Sequence, residues 1–453
     1  MPMTEEGAKA ADARATLPPD VIVGGPEPST LRTTFLGMLF LDRHGRQLGL
    51  LALGGMAGLF SRTALGPLQE TLAVDLGLGD AEVALLQGPA LAIPLVLLAI
   101  PLGLLIDRTA RARLLLIALV LNVAGTAAAA FAPGFWSLFA ARAIVGFAAP
   151  ATGIIAYAMI PDLFPPEKRG RATTLVVLGQ LLGSSGAFFV GGQLLVRLDA
   201  GDGAVWRLAL LTMAAILAIP AFAALLVREP ARIDTGQARS PVANAWSDLW
   251  QVRRRFVPLV IGMALVGLAD GAALVWTAPT LARTFALPPD QVGALIGIVL
   301  LASGILGPLL GGWLADRCQS RGGPAQTVGV LAILATISLP CGLFSLMPTP
   351  ATLGAALLIF LTLGPAISVM VTALTVIVMP VRVRGLCVTI KYATGTLVGI
   401  GAAPVIVGVL ADALPPAAGL PAALALTCVA TTLAGAIVLL RGRRHFPGVN
   451  AGR

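Results

Sequence analysis

Four charged residues fall inside long apolar stretches of the sequence, where a charge can do chemistry. Arg62 lies about fifteen residues, roughly 22 Å, into the first stretch, and Arg142 about seven residues from the far end of the fourth. Asp270 is near the middle of the seventh stretch, and Lys391 is about a turn and a half into the eleventh. A charge in such surroundings costs several kcal/mol unless it is paired or hydrated, so these residues mark a cavity that binds a substrate.

Weaker candidates for lining the same cavity are polar and aromatic side chains of the apolar stretches: Gln87, Tyr157, Trp276 and Tyr392. Each charge also has a structural alternative. Lys391 could extend back to the lipid headgroups, and the two arginines could be brackets bonded to helix ends and carbonyls. Asp270 could form a permanent ion pair, with Lys391 as its partner.

Asp270 is the candidate for proton coupling, because a carboxyl group in an apolar cavity can exchange a proton near neutral pH. Histidine is the commonest group for that task, but His44 and His445 both fall outside the apolar stretches. No cluster of histidines, cysteines or carboxylates in the sequence has a catalytic arrangement. We therefore expect no enzymatic activity, no cofactor and no metal.

The elements that position these residues are twelve apolar stretches, each long enough to cross a bilayer as a helix. The chain is 57% hydrophobic and only 12% charged, with a mean hydropathy of +0.90, so a soluble fold is excluded. We predict an all-α membrane protein with twelve spans. They lie near residues 47–67, 82–106, 113–132, 135–160, 172–196, 206–227, 256–282, 291–315, 326–346, 351–379, 386–411 and 418–441.

The two halves of the chain repeat one pattern. Gly103, Asp107 and Arg108 end the second stretch as Gly312, Asp316 and Arg317 end the eighth, six helices later. A parallel repeat of two six-helix bundles is a transporter architecture, with substrate bound between the bundles. The predicted parts are a disordered cytoplasmic tail 1–46, a bundle 47–227, a cytoplasmic linker 228–255 with a surface helix near 244–252, a bundle 256–441 and a cytoplasmic tail 442–453.

The positive charge lies in alternate loops, which predicts that both termini are cytoplasmic in a bacterial inner membrane. The net charge of +9 does not indicate nucleic acid, because the arginines sit between apolar runs instead of on one solvated face. The expected partners are the lipid bilayer and a small-molecule or lipid substrate, and the expected state is a monomer.

The loop from Gly103 to Arg113 resembles the signature loop of the major facilitator transporters, with Ala110 and Ala112 as departures from its usual pattern. This resemblance implies the major facilitator fold. It also implies that the loop and its repeat gate the conformational change, through close helix approach at Gly103 and a latch made by the charges. The predicted gating residues are Gly103, Asp107, Arg108, Arg111, Gly312, Asp316 and Arg317.

Within that superfamily, five segments resemble the Spinster-like lipid transporters. They are Ser61 to Gln69, Asp80 to Gln87, Arg142 to Gly146, Pro161 to Phe164 and Lys168 to Arg171. The resemblance implies transport of lysolipids or sphingoid lipids, coupled to protons through carboxylates beside Arg62 and on the fourth helix. Ser61 and Ala149 stand where those carboxylates would be, and neither can titrate.

The arginines are thereby left as uncompensated positive charge, which favours an anionic substrate. We predict a secondary transporter that works by alternating access on an amphipathic anion, lysolipid-like as the first choice, or a small organic anion such as a carboxylate. A drug or hydrophobic-metabolite exporter is a further alternative. A membrane sensor that does not transport is the alternative from another class.

Overall fold

The computed structural model describes residues 43–198, 204–230, 245–415 and 419–446. Across these ranges the chain forms fourteen α-helices, numbered here in chain order. They are α1 (Arg43–Thr63), α2 (Gln69–Leu76), α3 (Asp80–Gln87), α4 (Pro89–Arg108), α5 (Arg111–Ala130), α6 (Phe135–Leu163), α7 (Pro166–Arg197), α8 (Val205–Ala223), α9 (Ala245–Phe285), α10 (Pro289–Cys341), α11 (Pro350–Val378), α12 (Val381–Gly395), α13 (Ala403–Ala413) and α14 (Gly419–Gly442).

Eleven helical segments are long and apolar enough to cross a membrane, against the twelve predicted. The difference lies in α10, whose 53 residues contain the eighth and ninth predicted spans. The two parts meet at Gly323, where φ is 63° and ψ is −154°. Glycine alone adopts that conformation without strain, so α10 consists of two helices joined by a turn at Gly323.

The helix α9 corrects one predicted element. The surface helix expected near 244–252 is the start of a single helix of 41 residues that includes the seventh span. Leu249 and Val252 pack against a buried cluster around Phe256 and Val383, and this packing explains the continuity. Residues 231–244 of the predicted linker lie outside the described residues, as do residues 1–42 and 447–453 of the predicted tails.

The turns between helices lie at two opposite faces of the bundle. We call one the basic face, because it carries residues such as Arg108, Arg171 and Arg317. The other, with Glu70 and Asp80, is the acidic face. Helices α1 to α8 form the first half and α9 to α14 the second. The segments long enough to cross a membrane run between these two faces.

Several glycines of the first half are needed for close helix packing, and Gly183 is the clearest case. A Cβ atom added at Gly183 of α7 would overlap the backbone carbonyl of Met56 on α1. Gly179, one turn earlier, meets Ala52 in the same way. Small residues at this spacing let two helix backbones touch, which is the main source of helix association in lipid.

Gly183→Ala is expected to lower the free energy of unfolding by about 1–3 kcal/mol, because a backbone carbonyl cannot move aside for the new methyl group. Thermal unfolding in detergent measures the effect. Gly170→Ala is the matched control on the same helix, since Gly170 has open space beside it. Equal stability of the two variants would contradict the packing argument.

Candidate functional site

A central cavity of about 540 Å³ lies between the two halves of the protein. The first half contributes Arg62 from α1 together with Leu181 and Ser184 from α7. The second half contributes most of the wall, including Asp270 of α9 and Lys391 of α12. Two cations and one carboxylate from opposite halves therefore face a common space that is otherwise mostly apolar.

Arg62 occupies the second-last position of α1 and reaches both the central cavity and a smaller void beside Gln87. Within the described residues, no carboxylate or hydrogen-bond acceptor contacts its guanidinium. Ser61, its neighbour, instead shares a hydrogen bond of 3.1 Å with Thr126 of α5. The guanidinium is thus held in an apolar region with its five N–H donors available to a ligand.

Lys391 is buried, with 1% of its surface exposed, so its side chain does not extend to the headgroups. Its ammonium donates to the Thr372 hydroxyl at 2.5 Å and lies near the hydroxyl and carbonyl oxygens of Ser368. It also lies 4.0 Å from the centre of the Tyr392 ring. These neutral partners fix the position of the charge without cancelling it.

Asp270 forms no ion pair with Lys391 or with any other residue in the described ranges, contrary to the structural alternative raised from the sequence. One of its carboxylate oxygens, Oδ1, is buried without a hydrogen-bond partner. The carboxyl group packs against Gly364 of α11, where a Cβ atom would overlap it. A buried oxygen without a partner is costly, so this carboxyl is suited to binding a proton or a ligand donor.

Arg142 differs from the prediction, because it lies behind Arg62 and is absent from the described wall of the central cavity. It is 2% exposed and donates to the carbonyls of Arg62 and Leu86 and to the Gln87 side chain. Gln87 donates in turn to Gln69. Three neutral acceptors thus bracket the charge, which is the structural alternative proposed for this residue.

Two of the four weaker candidates line a described cavity, and the other two do not. Tyr392 lines the central cavity, and Gln87 lines the smaller void beside Arg62. Trp276 is fully buried in the core of the second half and donates to the Pro404 carbonyl at 3.0 Å. The Tyr157 hydroxyl donates to Gln180 at 3.0 Å, away from the described cavity walls.

The acidic face is closed by contacts between the halves that the sequence did not reveal. Arg283, in the last turn of α9, donates two hydrogen bonds to Glu70 and two to Asp80, all between 2.7 and 2.9 Å. Deeper in the membrane, Gln69 donates to the Val275 carbonyl, and Ser185 donates to the Gly297 carbonyl at 2.6 Å. The closure lies between the central cavity and the acidic face.

A π-helical turn, Thr396–Ala402, joins α12 to α13 and strengthens this closure. Thr396, Gly399 and Ile400 line the cavity. A Cβ atom at Gly88 of the first half would lie only 2.6 Å from the Gly401 carbonyl oxygen. Such π-helical turns are frequent at functional sites, and this one contacts both the central cavity and the opposite half.

The predicted gating residues lie near the basic face. Gly103 and Gly312 both have open space beside them, so the close approach predicted at Gly103 is wrong for this conformation. Arg111 forms an ion pair with Asp162 and donates to the Ala158 carbonyl, which joins α5 to α6.

The other gating candidates make fewer contacts. Arg317 stacks over Trp313 of its own helix, 5.4 Å from the ring centre. Arg108 and Asp316 are exposed. The Asp107 side chain lies outside what the structure describes. In the part of the chain that the structure describes, Arg108, Asp316 and Arg317 form no ion pair or side-chain hydrogen bond with another element.

Sequence reasoning missed the acidic-face pairs and the residues that hold Lys391. Ser368 and Thr372 are four residues apart on α11, so they share one helix face, and this spacing is visible in the sequence. Glu70 and Asp80 lie more than two hundred positions from Arg283 in the chain. The only available signal was the position of one arginine at the end of the seventh span, opposite the acidic first loop.

Comparisons with known proteins agree with this architecture. The sequence profile of the Major Facilitator Superfamily matches residues 51–386. An "MFS-type efflux pump" of Mycolicibacterium smegmatis is 26% identical over 419 residues, covering 87% of this chain and 93% of the relative. The "Sphingosine-1-phosphate transporter SPNS2" of Danio rerio is 24% identical over 391 residues, covering 81% and 76%.

Among solved structures, a bacterial homolog of the human lysosomal transporter Spinster, in an inward-facing and unoccupied conformation, superposes with a TM-score of 0.73. The match covers 88% of this chain and 95% of that one at 19% identity, so it shows a shared fold. The fold and the cavity between two halves define a membrane transporter. The chain belongs to the Major Facilitator Superfamily, and the predicted resemblance to Spinster-like proteins is confirmed.

Proposed function

We propose that this transporter moves an amphipathic or small organic anion by alternating access, with lysolipid-like molecules as the first substrate candidates. The observation that carries the proposal is the pair of cations, Arg62 and Lys391, that reach one cavity from opposite halves. An anion between them would contact both halves at once. Its binding would therefore depend on their relative position, as alternating access requires.

The rest of the wall fits a substrate with an apolar part. Leu181, Leu274, Leu300 and Leu361 line the cavity beside the charged groups. A volume of about 540 Å³ accommodates a headgroup with part of a chain, or a complete small organic anion. Sphingosine-1-phosphate, in the name of the Danio rerio relative, is an amphipathic anion of this type.

We further propose that the basic face is cytoplasmic, which places both termini on the inner side of a bacterial inner membrane. The described conformation is then inward-facing, with its acidic face closed by Arg283. Open space at Gly103 and Gly312 fits this assignment, because those glycines would pack against neighbours when the basic face closes.

The substrate class can be tested with purified protein in an uncharged detergent. We expect lysophosphatidic acid or aliphatic carboxylates to raise the unfolding temperature. At a ligand concentration of a hundred times Kd, the free energy of unfolding should increase by about 2.7 kcal/mol. Uncharged analogues of the same length should have no effect. Equal stabilisation by uncharged compounds would contradict the anion proposal and favour a hydrophobic-metabolite exporter. The Mycolicibacterium smegmatis relative is named as an efflux pump.

Within the same proposal, Asp270 is the residue whose protonation is coupled to anion binding. It shares the cavity with Arg62 and Lys391, and Tyr392 also lines that space. Cys428 of α14 lies beside it, donating to the Ala269 carbonyl at 3.6 Å. Protonation of Asp270 removes the negative charge, so the cavity attracts an anion more strongly. A proton and an anion would thus bind together, as in a symporter.

We expect the anion affinity to rise about tenfold as the pH falls and Asp270 binds its proton, a change of about 1.4 kcal/mol. Asp270→Asn, which is neutral at every pH, should keep the higher affinity from pH 5 to pH 9. Ligand-induced thermal shifts across this range measure the effect. Asp412→Asn removes an exposed carboxylate and serves as the control. An unchanged pH profile in Asp270→Asn would rule out this coupling group.

A further inference from the structure

A second cavity, of about 740 Å³, lies along helices α9 and α12. We call it the α9–α12 groove, lined by Leu249, Val257 and Ile261 of α9 and by Ile390 and Thr394 of α12. Lys391 follows Ile390 in α12, and Gly395 follows Thr394. Both Lys391 and Gly395 line the central cavity. The groove therefore occupies a different side of α12 from the substrate site.

The groove extends over most of one lipid leaflet. Its α9 wall includes Leu249, Arg253, Val257 and Ile261, which are four residues apart and share one helix face. From Arg253 to Ile261 this face extends about 12 Å, against roughly 15 Å for half of the hydrocarbon core. Trp250, at the start of this stretch, is 61% exposed, as expected for an aromatic side chain at the membrane interface.

The end of the groove near the basic face is cationic. Arg253 stacks over the Trp250 ring at 4.3 Å and donates to the Trp250 carbonyl at 2.6 Å. Arg254 is exposed, and His445 from the end of the chain completes this part of the wall. The described residues that line the groove include no carboxylate. Among the described residues, the positive charge of this end is thus not compensated within the groove wall.

We propose that the α9–α12 groove binds an acyl chain of an anionic phospholipid, whose phosphate is held by Arg253 and Arg254. The apolar stripe matches a chain that enters from the leaflet on the basic face, and the arginines complement the headgroup at the depth where a phosphate lies. Because Ile390 directly precedes Lys391, a lipid in the groove contacts the same helix that lines the substrate cavity.

The test uses the full chain in an uncharged detergent, titrated with phosphatidylglycerol while the unfolding temperature is measured. We expect a saturable rise in that temperature, and no rise with phosphatidylcholine. In the double variant Arg253→Gln, Arg254→Gln, the lipid concentration at half effect should increase about tenfold or more, because two charge-assisted hydrogen bonds are lost. Lys168→Gln with Arg171→Gln removes two exposed charges from the same face and should change nothing.

Val257→Trp provides a second route to the same conclusion. It fills the groove while keeping both arginines, so the phosphatidylglycerol effect should disappear although the protein without lipid still unfolds cooperatively. In the Arg62→Gln background, where the central cavity has lost the cation of the first half, glycerol 3-phosphate, which has the headgroup charge but no chain, should not stabilise the protein. The response to phosphatidylglycerol should persist in Arg62→Gln, which separates the groove from the substrate cavity.

Three results would overturn the proposal. The first is an unchanged half-effect concentration in the double arginine variant. The second is equal stabilisation by phosphatidylcholine, or by glycerol 3-phosphate in the Arg62→Gln background. The third is an unchanged response in Val257→Trp, which would show that the lipid binds elsewhere on the basic face. None of these depends on which substrate the central cavity carries.

Discussion

Replacing Arg62 by glutamine is expected to lower the affinity for an anionic substrate by about 10- to 100-fold while the protein remains folded. Arg62 is the cation that the first half presents to the central cavity, and no described residue occupies its donors. A hydrogen bond between charged groups contributes about 1.5–3 kcal/mol, which corresponds to this loss. Anion-dependent thermal shifts measure the affinity, and proteoliposome uptake measures transport.

Arg142→Gln is the matched comparison for Arg62→Gln. Arg142 is as deep in the membrane but is bonded to the carbonyls of Leu86 and Arg62 and to Gln87. Its loss leaves buried acceptors without partners, so stability should fall by about 1–3 kcal/mol. If Arg62→Gln bound the anion normally and Arg142→Gln alone lost binding, the assignment of the two arginines would be reversed.

Arg283→Gln is expected to open the acidic face. Arg283 joins the halves through paired hydrogen bonds to Glu70 and Asp80, and its side chain is 39% exposed. Exposed pairs contribute about 0.2–1 kcal/mol each, so the two together contribute about 0.4–2 kcal/mol. Their loss should shift the equilibrium between closed and open acidic faces by about 2- to 30-fold. High salt should weaken the wild-type lock in the same direction.

The distance between spin labels reports this shift directly. Cysteines introduced at Val74 and Ala413, both exposed on the acidic face, carry the labels in a chain whose four native cysteines are replaced by serine. Arg207→Gln is the control, because Arg207 pairs with Asp75 inside the first half. An identical distance distribution for Arg283→Gln and Arg207→Gln would show that the pairs do not hold the face closed.

The class of protein follows from local composition alone. Each membrane span is a run of apolar residues, and the energy of inserting such a run depends on the run itself, so hydropathy locates the spans. The repeat of Gly103 at Gly312 likewise identified two related halves before any contact was known. Only the count needed the structure, because the two spans of α10 join directly at the turn at Gly323.

The sequence alone determined that Arg62, Arg142, Asp270 and Lys391 lie within the membrane. Only the tertiary structure decided which of them share a cavity. Successive side chains on a helix point about 100° apart. An error of one residue in the predicted register therefore changes which side chains contact each other. Arg142 consequently faces the Arg62 carbonyl, and Arg283 meets carboxylates 203 and 213 positions away, because helix rotation and docking depend on the packing of the whole bundle.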